Sequence, residues 1–113
     1  MSVNIYDTIN QLESDLRKTE QYEALVKAFE EINKDEKATE LMDEFKEIQK
    51  LFAEKQQKGE SFTEEDQQRA LKSSQEMQEN EITKKLLAAE YQLNLLIQDV
   101  NQAIYKPIRE LYE

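Results

Sequence analysis

Apolar residues recur along much of this chain at alternating steps of three and four, the spacing that places side chains on one face of an α-helix. The longest series lies in the last third of the sequence, at Ile82, Leu86, Ala89, Leu93, Leu96 and Val100. It predicts a long helix over about 81–112, interrupted only by Pro107. Because proline removes a backbone N–H and crowds the preceding turn, we expect a kink or a helix end there.

A second apolar line, Leu87, Tyr91 and Leu95, lies beside this series on the same helix. At about 1.5 Å per residue the helix extends roughly 50 Å, whereas a compact domain of this length is roughly 35 Å across. Either the fold is elongated or a second subunit covers the excess. We therefore predict that Leu87, Tyr91 and Leu95 form a dimer or partner interface. The alternative is that the first two helices cover this line within the same chain.

The first third of the chain contains two apolar series that differ in phase. The first, which predicts a helix over 3–18, consists of Ile5, Ile9, Leu12 and Leu16. The second, which predicts a helix over 20–33, consists of Tyr22, Leu25, Val26, Phe29 and Ile32. A break near Thr19 explains the change, because threonine is a competent helix N-cap. A single long helix with a rotating stripe is the other interpretation.

The middle of the chain carries local signals for two more helices. Asp35 is a candidate N-cap for a helix over 36–58, and Gly59, the only glycine, suits its C-terminal end. Thr63 and Asp66 resemble a capping box for a helix over 64–78, which offers few apolar residues. Asn80 is a candidate cap for the last helix.

Composition supports an all-α fold. With one glycine and one proline the chain has little material for tight turns, and Ala, Glu, Lys, Leu and Arg dominate it, as in long helices. We predict a single domain, residues 1–113, folded as an elongated antiparallel helical bundle of four to five helices with a long C-terminal helix.

The net charge of −10 restricts the class of partner. Binding to phosphates needs clustered Lys or Arg, and the sequence has no such cluster, so we expect no direct contact with nucleic acid. The same sign argues against an anionic membrane surface, and no apolar run reaches the length of a membrane span. The N-terminus lacks the features of a signal peptide, and the absence of cysteine is compatible with a cytoplasmic location, which we expect.

The residues needed for common catalytic chemistry are scarce. Without His or Cys the chain lacks the usual general base, the thiol nucleophile and the preferred zinc ligands. Glu40, Glu44 and Glu47 share one helix face and could hold a hard cation. The simpler interpretation is a solvated face relieved by lysines at positions 37, 46 and 50. We predict no enzyme activity, cofactor or metal site, and keep a carboxylate-based metal protein or enzyme as an alternative.

The order of these features resembles a known family. The series comprises Thr19-Glu-Gln-Tyr22, Asp35 before Ala38, Leu41-Met-Asp-Glu-Phe45, Lys58-Gly59-Glu, Thr63-Glu-Glu, Asn80, and Ala88-Ala-Glu-Tyr-Gln-Leu-Asn-Leu-Leu-Ile-Gln-Asp-Val-Asn-Gln-Ala-Ile104. It is similar to the YlbF/YmcA/YheA family of small helical proteins from low-GC Gram-positive bacteria, and the length and N-terminal helix look closest to the YheA-like branch.

The resemblance implies a cytoplasmic, dimer-prone helical protein without catalytic activity of its own. Better-known relatives act as adaptors in competence, sporulation, biofilm formation and ribonuclease-dependent RNA maturation. Some relatives contribute cysteines to iron–sulfur clusters, and this chain has none to contribute. The leading hypothesis is a protein–protein interaction or adaptor protein that forms a homodimer or higher homo-oligomer. A purely structural coiled coil is a further alternative.

Overall fold

The structure, a computed structural model, describes residues 2–113, so Met1 of the predicted domain lies outside it. The described residues form five α-helices and no β-strand: Ile5–Arg17 (α1), Glu20–Asn33 (α2), Glu36–Lys58 (α3), Glu64–Glu79 (α4) and Glu81–Glu110 (α5). The all-α prediction is confirmed. Every predicted helix is present, and the ends differ from those expected by no more than two residues.

The helical structure is interrupted at Lys18 and Thr19, between α1 and α2. The Thr19 hydroxyl accepts a hydrogen bond from the backbone N–H of Tyr22 at 3.1 Å and donates one to the Leu16 carbonyl at 2.7 Å. One side chain therefore satisfies backbone groups on both sides of the break. The interpretation of residues 3–33 as a single long helix is wrong.

Both ends of α3 are fixed by the residues that the sequence indicates. The Asp35 carboxylate accepts from the backbone N–H of Ala38 at 2.9 Å, which caps the N-terminus. At the other end Gly59 has a φ of 70°, in the left-handed region that side-chain-bearing residues disfavour. The N–H groups of Gly59 and Glu60 donate back to carbonyls of the last helical turn, which closes the helix.

The starts of α4 and α5 are also capped by short polar side chains that are close in the sequence. Thr63 and Asp66 form a reciprocal capping box at the start of α4. The Asn80 side-chain oxygen accepts from the backbone N–H groups of Ile82 and Thr83 at 2.9 and 3.1 Å, which caps α5. These bonds confirm that short polar side chains set the helix boundaries.

Helix α5 does not end at Pro107 and continues to Glu110. The guanidinium of Arg109 donates to the carbonyl of Gln102 at 3.1 Å, in the turn that precedes the proline. The carbonyl that loses its helical donor to Pro107 is that of Ala103, four residues earlier, so the Arg109 bond lies beside the proline defect and does not replace the missing N–H.

Backbone contacts group the described residues into two compact units. Unit 2 is the continuous segment Ala28–Leu87, and unit 1 combines residues 2–27 with Ala88–Glu113. Of the eleven buried residues, ten lie in unit 2, among them Ile32, Met77 and Leu86, and Ala89 alone lies in unit 1. Unit 2 therefore contains nearly all of the hydrophobic core.

Within unit 2, α3 packs against α4 as an antiparallel hairpin closed by the Gly59 turn. Lys55 pairs with Asp66 near the turn, and Arg69 pairs with Glu44 further from it. The Arg69 guanidinium donates two hydrogen bonds to the Glu44 carboxylate, at 2.6 and 3.0 Å. Two-point arginine–carboxylate contacts of this kind fix geometry as well as charge, so the ion pairs set the register of the hairpin.

Replacing Asp66 with asparagine is expected to lower stability at pH 7 and to have little effect in acid. The hydrogen bond from Lys55, followed by that from the Thr63 backbone N–H, lowers the pKa of Asp66 below its ordinary 3.8. A carboxyl group whose folded-state pKa is lowered stabilises the fold above its unfolded pKa, and this contribution is lost as the pH falls through the folded value. Urea unfolding midpoints at pH 7 and at a pH well below 3.8, where Asp66 is protonated in the folded state as well, measure the difference.

The control for this prediction is Glu65→Gln, which removes a charge from the same first turn of α4 at an exposed position. It separates the helix-dipole contribution from the contacts that Asp66 makes with Lys55 and Thr63. Equal losses in the two variants at pH 7 would contradict a specific role for Asp66.

Candidate interaction surface

Exposed hydrophobic side chains are concentrated in unit 1. Among residues 2–113, fifteen large hydrophobic residues are exposed; thirteen of them lie in unit 1, and the other two, Phe62 and Leu71, lie in unit 2. Large contiguous apolar patches usually mark contact sites, whereas scattered exposed residues do not. Unit 1 is therefore the part of the molecule in which an interaction surface is to be sought.

The predicted interface residues have unequal environments. Tyr91 is 62% exposed and Leu95 is 39% exposed, so α1 and α2 do not enclose them. Leu87 is half-buried and is the last residue of unit 2. Tyr91 and Leu95, one helical turn apart, form what we call the α5 line. A partner can reach both without disturbing the fold.

A second exposed surface lies on α1, which has no buried residue. Ile5, Ile9 and Leu12 are 56%, 49% and 42% exposed, and Leu16 is half-buried. Their spacing of four, three and four puts them on one side of the helix. We call Ile5, Ile9 and Leu12 the α1 face.

A third surface continues the main stripe of α5 beyond the part that is covered. Leu93, Leu96 and Val100 are half-buried, but every residue from position 101 onward is exposed. Ile104, Ile108 and Leu111 form what we call the α5 end face. In the sequence Ile108 and Leu111 continue the apolar stripe past Pro107, but the predicted interface was Leu87, Tyr91 and Leu95 and did not include them. The available signal was the continuation of the stripe itself.

The middle of α5 is nearly free of charge. Between Glu90 and Lys106, Asp99 is the only charged residue, whereas 35% of the whole chain is charged. Burial raises the pKa of Glu90 above its ordinary value, because a carboxylate is disfavoured away from water. A surface with few charges can approach another acidic chain with little repulsion.

Unit 2 has an open groove between α3 and α4, with a volume of about 460 Å³. Its walls include Phe45, Phe52 and Ala70, and Phe52 stacks on Phe62 with ring centroids 4.5 Å apart. Ser73 lines the groove, is buried, and its hydroxyl has no hydrogen-bond partner among the described residues. None of the residues that line the groove is charged.

Two of the three carboxylates considered as an alternative metal site contact Arg69. Glu44 accepts two hydrogen bonds from Arg69, which lower its pKa, and Glu47 lies 3.8 Å from the same guanidinium. The counter-charge on this face thus includes Arg69, and not only the lysines suggested by the sequence. Across residues 2–113, no three His, Cys, Asp or Glu side chains are placed to share a metal ion.

In the part of the chain that the structure describes, no helix combines the length and apolar character needed to cross a bilayer.

Two relatives match the sequence over essentially its full length. A UPF0342 protein of Pediococcus pentosaceus is 41% identical over 113 residues, which cover 100% of this chain and 99% of the relative. A UPF0342 protein of Staphylococcus aureus is 41% identical over 112 residues, covering 99% and 98%. Neither name states an activity.

Two solved structures share the fold. A protein of unknown function (DUF964) from Bacillus stearothermophilus has a TM-score of 0.90 and 30% identity, covering 98% of this chain and 97% of that one. YheA from Bacillus subtilis has a TM-score of 0.75 and 31% identity, covering 97% and 100%. The five-helix arrangement therefore occurs in other proteins of similar size.

The family model described as "Control of competence regulator ComK, YlbF/YmcA" matches residues 5–109, which include all of α1 to α4 and nearly all of α5. Together with the full-length relatives and the YheA-like structure, this match confirms the resemblance seen in the sequence. The chain belongs to the YlbF/YmcA/YheA family of small helical proteins.

Proposed function

We propose that the protein is a non-catalytic interaction protein of the adaptor type, which acts through exposed apolar surfaces on unit 1. The process is regulatory, of the kind that the family description names, the control of a competence regulator. The processes in which better-known relatives of the family act as adaptors, sporulation, biofilm formation and RNA maturation, are of the same kind. The protein works in the cytoplasm as a homodimer or higher homo-oligomer.

The observation that carries this proposal is the distribution of burial. Unit 1 holds thirteen exposed large hydrophobic residues and one buried residue, Ala89. A segment that buries so little apolar surface gains little from folding alone, because the loss of chain entropy is not offset. Contact with another polypeptide chain supplies the missing burial, and the α5 line offers Tyr91 and Leu95 for it.

The other functions considered have weaker support. A carboxylate enzyme or metal protein would use Glu40, Glu44 and Glu47, but Arg69 already engages two of these side chains. A purely structural coiled coil would pair long helices only between chains, whereas α3 packs against α4 within one chain.

Replacing Tyr91 or Leu95 with glutamate is expected to remove at least one chain that the wild-type protein binds, either a second copy or another protein. Burying a carboxylate in an apolar contact is unfavourable, so affinity should fall at least about tenfold. The measurement combines affinity capture of the tagged protein from the native cell, quantified by mass spectrometry, with sedimentation velocity of the purified variants at micromolar concentration.

Gln92→Glu is the matched control, because it adds the same charge at an exposed position on α5, about 100° around the helix from Tyr91. If wild type, Tyr91→Glu and Leu95→Glu capture the same proteins and sediment identically, the α5 line is not a contact surface.

A further inference from the structure

The α1 face and the α5 end face are matched in length and number of anchors. The series Ile5, Ile9, Leu12 and Leu16 spans twelve residues, or eleven steps, as does the series Val100, Ile104, Ile108 and Leu111. Each series therefore extends about 16 Å along its helix. In each, one terminal residue, Leu16 or Val100, is half-buried and the other three are exposed. The α1 face and the α5 end face therefore match in length and in number of exposed apolar residues, as the two sides of one helix–helix contact would.

From this match we infer that a second copy of the chain covers both faces, so that α1 of each copy lies on the end of α5 of its partner. The contact then occurs twice in a symmetric dimer, as a two-fold axis requires. Because the α5 line lies on the other side of α5, Tyr91 and Leu95 stay accessible to a different protein.

Charge favours α1 against α5 over α1 against itself. Helix α1 contains Asp7, Glu13 and Asp15 against one basic residue, Arg17, so its net charge is −2. The segment that carries the α5 end face, residues 100–111, contains Lys106, Arg109 and Glu110, so its net charge is +1. Two α1 helices would repel each other, whereas α1 and the end of α5 attract.

The exposed apolar area is close to what a stable dimer needs. A standard interface removes about 800 Å² from each partner, of which a little over half, or about 450 Å², is apolar. Ten exposed large hydrophobic residues lie in or beside the two faces: Val3, Ile5, Tyr6, Ile9, Leu12, Ile104, Tyr105, Ile108, Leu111 and Tyr112. At about 50 Å² each, roughly half the area of an aliphatic side chain, they supply about 500 Å².

Ile9→Glu and Ile104→Glu test the inference by sedimentation velocity across a dilution series. Both positions are about half exposed in the single chain, at 49% and 57%, so the variants should fold. Each is expected to raise the dimer dissociation constant at least about thirtyfold, the loss typical of a central contact residue. The control, Asn10→Glu, adds the same charge on the polar side of α1 and should leave the constant unchanged.

Disulfide trapping identifies which helices meet, and the chain is suited to it because it has no cysteine. Chains carrying Ile9→Cys are mixed with chains carrying Ile104→Cys or Ile108→Cys, which together cover both directions in which the helices can run. The expected product is a mixed disulfide that exceeds the product of either variant alone. A predominance of disulfides between two Ile9→Cys chains, or the absence of any, overturns the inference.

The inference rests on the self-association in the proposed function, but the two can fail separately. If Tyr91→Glu separates the copies and the Ile9→Glu and Ile104→Glu variants stay dimeric, the assignment of the surface is wrong and the proposed function stands. If the wild-type protein is a monomer at micromolar concentration, the inference fails. The capture experiment with Tyr91→Glu then decides the proposed function on its own.

Discussion

Replacing Leu86 with alanine is expected to lower the free energy of unfolding by about 2–5 kcal/mol. Leu86 is 1% exposed and belongs to unit 2, where nearly all of the buried residues lie. Removing its side chain loses the transfer free energy of the apolar atoms and leaves a cavity that close-packed neighbours fill only in part. A small domain has a total stability of about 5–15 kcal/mol, so the variant should unfold at a much lower urea concentration.

The comparison for this prediction is Leu71→Ala, the same change in the same unit at a residue that is 61% exposed. Its cost should stay within about 0.5 kcal/mol, as for most surface substitutions. All variants need the same protein concentration, because association adds to apparent stability. Similar midpoints for the two variants would show that Leu86 is not a core residue.

Replacing Thr83 with valine is expected to cost about 1–3 kcal/mol, although valine has nearly the same shape and is more apolar. Thr83 is 0% exposed, and its hydroxyl donates a 2.6 Å hydrogen bond to the carbonyl of Met77, at the end of α4. Valine would leave that carbonyl buried without a donor, and the cost of the unsatisfied group exceeds the gain from one added methyl. Urea unfolding at pH 7 measures the difference.

Thr83→Ser keeps the hydroxyl and loses a methyl group, so it should cost about 0.8 kcal/mol. The expected order of stability is therefore wild type, then Thr83→Ser, then Thr83→Val. Simple hydrophobic burial gives the opposite order for the two variants, and observing that order would show that the bond to Met77 contributes little.

Helix boundaries could be predicted from this sequence because each is set by neighbours in the chain. Asp35 bonds to Ala38, Thr63 to Asp66, and Asn80 to Thr83, all at a separation of three residues. Gly59 closes α3 for an equally local reason, its positive φ. No knowledge of the tertiary structure is needed to recognise such signals.

The burial of polar residues could not be predicted in the same way. The few apolar residues of α4 are Ala70, Leu71 and Met77, but Leu71 is exposed and Ser73 is buried. Ser73 and Met77 share one face of the helix, at a separation of four, whereas Leu71 lies outside it. Which face turns inward is decided by the packing of α3 against α4, and a pattern with so few apolar residues does not specify it.

The interaction surfaces also divide into one that could be predicted from the sequence and one that could not. The excess of apolar residues on α5 was visible in the sequence, and Tyr91 and Leu95 are indeed exposed. The α1 face was not foreseen as a surface, because an amphipathic stripe looks the same whether its own chain covers it or not. Only the structure shows that Ile5, Ile9 and Leu12 remain open to solvent.

Unit 1 combines two segments that are far apart in the sequence, residues 2–27 and Ala88–Glu113, whereas unit 2 is a single uninterrupted segment. During synthesis on the ribosome, residues 2–27 emerge well before Ala88–Glu113, the segment with which they are grouped in unit 1. Unit 2 forms through contacts between residues that are close in the sequence, such as those of the α3–α4 hairpin, and contacts of this kind form rapidly. Pairing two segments that are far apart in the sequence is slower, because it requires closing a longer loop at a greater cost in entropy. Unit 2 is therefore expected to fold before the two segments of unit 1 come together.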